Sequence, residues 1–149
     1  MSAHRTIINY FLERMAGAGF NASLGYVQPD LGRAKKDICV ELWLSNGEDE
    51  TWENTELPIH DSALIECYVF RKRNAEDESG QWYDDVQIAK ETLVKNSQDR
   101  QHADKLWWDS TIILTDYTSP LKQWNNSMSY SPGTLCARID LQIKFLSNL

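Results

Sequence analysis

The stretch Leu135-Cys136-Ala137-Arg138-Ile139-Asp140-Leu141-Gln142-Ile143-Lys144-Phe145 decides the fold. Its odd-numbered residues are all apolar, and most of those between them are polar or charged. A helix would scatter the apolar groups around its circumference, whereas a strand sets all of them on one face. The segment therefore predicts a long strand with one greasy side and one wet side. Something must cover the greasy side, and the rest of the chain supplies candidates.

The same period of two recurs upstream. Between Ile38 and Leu44, the residues Ile38, Val40, Leu42 and Leu44 share one face, and Cys39, Glu41 and Trp43 share the other. From Ala63 to Arg71, Ile65, Cys67 and Val69 oppose Leu64, Tyr68 and Phe70. Both faces of that segment are apolar, as expected of a central strand covered on both sides or of one at a subunit interface. Thr111 to Tyr117 is β-branched and aromatic, fitting a buried strand that Pro120 ends. Two stretches repeat at three and four instead. Ile7, Ile8, Phe11, Leu12 and Met15 predict a helix over Thr6 to Met15, capped by Ser2 or Thr6 and stopped by Gly17 or Gly19. Trp82, Val86, Ala89 and Leu93 predict a second helix ending near Asn96. Asp84 and Asp85 near its start, with Lys90 and Lys95 later, complement its dipole.

The resulting order is helix, strand, strand, strand, helix, strand, strand, which contains only one long helical crossover. A doubly wound parallel fold fits that order poorly. The expectation is an α+β fold, an antiparallel or mixed sheet with one or two helices packed on one face. At 149 residues, with no internal repeat and no Gly/Ser-rich linker, residues 1–149 make a single domain. A long polar insertion at about 45–61 holds Glu48, Asp49, Glu50, Glu53 and Glu56 around Trp52. Connections of that length are uncommon in compact domains unless they contact something.

With 22 acidic and 15 basic residues the formal charge is −7, against a dedicated nucleic-acid binder, which needs clustered cations. No run of the sequence approaches the roughly 20 apolar residues of a membrane span, and the N-terminus lacks a signal-peptide core. The expected product is made in the cytoplasm. Cys39, Cys67 and Cys136 are odd in number, far apart and set in β-like runs, so they read as reduced thiols packed as small apolar groups.

Residues suited to catalysis do not form a recognisable constellation. His4, His60 and His102 have no metal-ligand spacing, so no cofactor or metal is expected. His60-Asp61 resembles the His-Asp pair of metal phosphohydrolases, and a small hydrolase with a site near it is one alternative. Pro29-Asp30 followed by Glu41 resembles part of a restriction-type nuclease core, but Trp43 stands where that core has lysine. Gly17-Ala18-Gly19 has no following Gly-Lys-Ser/Thr and reads as a helix end. The expectation is a protein that is not an enzyme.

The opening helix, the strand Ile38 to Leu44, the insertion Ser45 to Asp61, the strand Ala63 to Arg71, the helix around Trp82 to Lys95 and the terminal strand Leu135 to Phe145 span most of the chain. In order, size and acidity they resemble the tail-terminator, or tail-completion, proteins of tailed bacteriophages and related neck proteins. That resemblance implies a homo-oligomer, a hexameric ring at the head-proximal end of the tail tube. It also implies contacts with tail-tube and with head-completion or connector proteins, DNA passing through without specific binding, and a place in the virion. A negatively charged bore suppresses sticking contacts with phosphates, so the charge suits a conduit. Trp52 in its acidic setting either folds back over the sheet as a loop anchor or fills a pocket on a partner, where tryptophan is enriched among hot spots. Together with Glu48, Asp49, Glu50 and Glu53, and with Arg71, Lys72 and Arg73 on the other side of a ring contact, it makes the candidate interface. The other alternative is an acidic binding or inhibitor module that caps a basic partner one to one.

Overall fold

A computed structural model describes residues 3–25, 38–46, 60–72, 80–97, 107–117 and 134–146. The elements follow in the order α1 (Ala3–Gly17), β1 (Asn21–Leu24), β2 (Cys39–Asn46), β3 (His60–Lys72), α2 (Gln81–Ser97), β4 (Trp107–Asp116) and β5 (Thr134–Leu146). The five strands form one sheet in the order β1-β2-β3-β5-β4. β1 runs parallel to β2, and every other pairing is antiparallel, so the sheet is mixed. The α+β architecture expected from the sequence is the one found.

β3 lies at the centre, paired along its length to β5 from His60↔Leu146 to Lys72↔Thr134. Its helix-side residues continue rows across the sheet: Leu42, Cys67 and Ile139 stand side by side, as do Leu44, Ile65 and Leu141. Ile7, Phe11 and Met15 of α1 and Trp82, Val86, Ala89 and Leu93 of α2 close over these rows, forming one core with the same face of the sheet. Both helices thus cover one side, as their stripes of three-and-four spacing require. Full burial stabilises each large apolar side chain by roughly 1.5–3 kcal/mol. Among the described residues no helix is long and apolar enough to cross a membrane.

Glycine ends α1 as expected. Gly19 has φ +99°, the Gly19 N–H donates to the Ala16 carbonyl (3.1 Å), and the Phe20 N–H donates to the Met15 carbonyl (3.2 Å). This is a Schellman closure, and its apolar contact pair, Met15 and Phe20, is buried in the core. Thr6 lies inside the helix and so is not its cap; Ser2 falls outside the described residues.

Several boundaries depart from expectation. β2 extends to Asn46 and β3 begins at His60, so two strand residues come from each end of the stretch read as an insertion, and residues 47–59 lie outside the described set. β4 starts at Trp107, four residues before the expected strand. Register shifts against β5 between Trp107 and Asp109 and between Ile112 and Leu114 break its alternation.

Candidate functional site

The second face of the sheet overturns the expectation that one side of the terminal strand is wet. Cys136 and Asp140 are buried there, together with Cys39, Glu41, Glu66, Tyr68 and Phe70 from the neighbouring strands. The register explains the grouping. Cys39, Phe70 and Cys136 form one row, Glu41, Tyr68 and Arg138 the next, and Trp43, Glu66 and Asp140 the third. Charged residues at these positions need not face water, because neighbouring rows supply one another with partners.

Arg138 is the hub. Its Nε donates to Asp140 Oδ1 at 2.7 Å and its Nη2 to Asp140 Oδ2 at 2.9 Å, a two-pronged grip between residues two apart on one strand. The same Nη2 reaches Glu66 Oε1 on β3 at 3.2 Å. The guanidinium also lies over the Tyr68 ring, 6.0 Å from its centroid. Trp43 Nε1 donates to Glu41 Oε1 one strand further on. The Arg138 contacts tie β3 and β5 together through side chains as well as backbone, while the Trp43–Glu41 bond stays within β2.

The electrostatics follow from burial. The hydrogen bond to Asp140 is the main reason the Arg138 pKa rises. Burial, with the charge of Glu66 adding to it and that of Arg138 opposing, pushes the Tyr68 phenol up to about 12. Burial, with Glu41 and Asp116 adding, pushes the Cys136 thiol up to about 12, and burial raises Cys67 further. Since the thiolate is the nucleophile and metal ligand, these two cysteines are held in their unreactive form at neutral pH. All three cysteines are free and buried. Among the described residues, no three His, Cys, Asp or Glu side chains are placed to share a metal ion.

The residues singled out from the sequence are placed as follows. Arg71 lies on the helix side, where its Nη1 pairs with Asp85 Oδ2 of α2 at 3.4 Å and its guanidinium lies 6.0 Å from the Trp82 ring. Lys72 closes β3 opposite Thr134. Glu48, Asp49, Glu50, Trp52, Glu53 and Arg73 lie outside the described residues, as do Pro29 and Asp30. His60 and Asp61 are consecutive positions of β3, opposite Leu146 and Phe145, and not members of a connection. Glu41, from the nuclease-like spacing, is buried and engaged with Trp43, the residue that replaces the expected lysine.

A second surface was not legible in the sequence. Among the described residues, the large exposed apolar side chains are Tyr83, Ile88, Ile113, Leu114 and Tyr117, and all belong to α2, to β4 or to the turn that follows it. The rings of Tyr83 and Tyr117 lie 5.2 Å apart at 57°. Helical spacing marks Trp82, Val86 and Leu93 as inward but cannot say which outward residues a strand will bring together. No model of a known protein family and no curated protein sequence matches the chain.

Proposed function

We propose that this protein is a non-enzymatic virion subunit, a tail terminator or neck component that packs against copies of itself in a ring at the head-proximal end of a bacteriophage tail tube. The observation that carries the reading is the order of elements in an acidic α+β fold of one sheet and one helix layer, helix first and the long two-faced strand last. The use of the buried charges supports it. Arg138, Asp140 and Glu66 pair with one another across β5 and β3, and Glu41 with Trp43 within β2, which is the work of a scaffold. A net charge of −7 per subunit suits a passage through which a polyanion slides without sticking.

Because Arg71 is held by Asp85, the ring contact inferred from charge rests on Lys72 and Arg73 of one subunit against Glu48, Asp49, Glu50 and Glu53 of the next, with Trp52 as its anchor. Light scattering coupled to size exclusion tests the assembly, and imaging of particles tests its location. The expected result is a closed ring, alone or on tail tubes. A chain that stays monomeric at every concentration and binds a basic partner one to one would replace this reading with that of an inhibitor module.

A further inference from the structure

We draw no further inference here: the strongest candidate, the exposed apolar surface patch that Tyr83 of α2 makes with Ile113, Leu114 and Tyr117 at and just past the β4 edge of the sheet, carries nothing because nothing in the structure shows what covers it.

Discussion

Replacing Arg138 by methionine removes the cation seated between Asp140 and Glu66 while keeping much of the side chain's apolar length. Three charge-assisted hydrogen bonds disappear, of 2.7, 2.9 and 3.2 Å. Glu66 and Asp140, directly opposite in the register and both buried, are then left as like charges side by side. Breaking a fully buried pair costs about 3–5 kcal/mol, because the stranded charge keeps its desolvation penalty. The Arg138 side chain is 29 % exposed, so water relieves part of that, and the lower end, about 3 kcal/mol, is expected. For a domain of this size that lowers the melting temperature by roughly 6–12 °C. Urea unfolding should show the loss as a shifted midpoint at constant slope. Adding Glu66→Gln and Asp140→Asn to the variant removes the repelling charges and should recover more than half of the loss. A loss under about 1 kcal/mol, typical of a solvated surface pair, or no recovery in the triple variant, would refute the account of the second face as a buried ion network.

Three further outcomes follow from the same packing. A Cβ at Gly25 would stand 2.1–2.2 Å from three atoms of the Trp43 indole, so Gly25→Ala should destabilise the fold by about 1–3 kcal/mol and shift tryptophan emission as the ring is displaced. Cys136 and Tyr68 rise from ordinary values of 9.0 and 10.0 to about 12, so above pH 9 the unfolded chain releases these protons before the folded one. Their contribution to stability is complete below about pH 9 and is lost as pH climbs towards 12; Cys136→Ala should keep a larger share of its neutral-pH stability at alkaline pH, measured by denaturant titration. With Cys39, Cys67 and Cys136 all buried, a thiol reagent should label the native protein at the rate of its opening, and unfolding should make all three react at once.

Legibility followed the range of the interactions involved. The helices, β2, β3 and β5 were readable because their apolar periods are local: Phe11 and Met15, or Ile139 and Leu141, declare their faces within a few residues. β4 was only half readable, since its register shifts near residues 108 and 113 spoil the alternation that would have included Trp107. β1, at four residues, is too short to show a period. The second face was misread because Arg138 and Asp140 look solvated in isolation. Their partner Glu66 lies in a strand whose neighbours are nearly all apolar, and its proximity comes from β3–β5 pairing alone. The clustering of Tyr83 with Tyr117 is equally non-local.

The placement of β5 between β3 and β4 also sets the order in which the molecule can be completed. β4 has β5 as its only partner among the described strands, and the central strand β3 gains its second neighbour from the same residues. Until the chain has been synthesised as far as residue 146, two long strands are left with bare flanks, and closing them requires a distant segment to find its register in one step. A fragment stopping before Thr134 should accordingly be sticky and chaperone-dependent, whereas the same chain with β5 supplied in trans has the means to close.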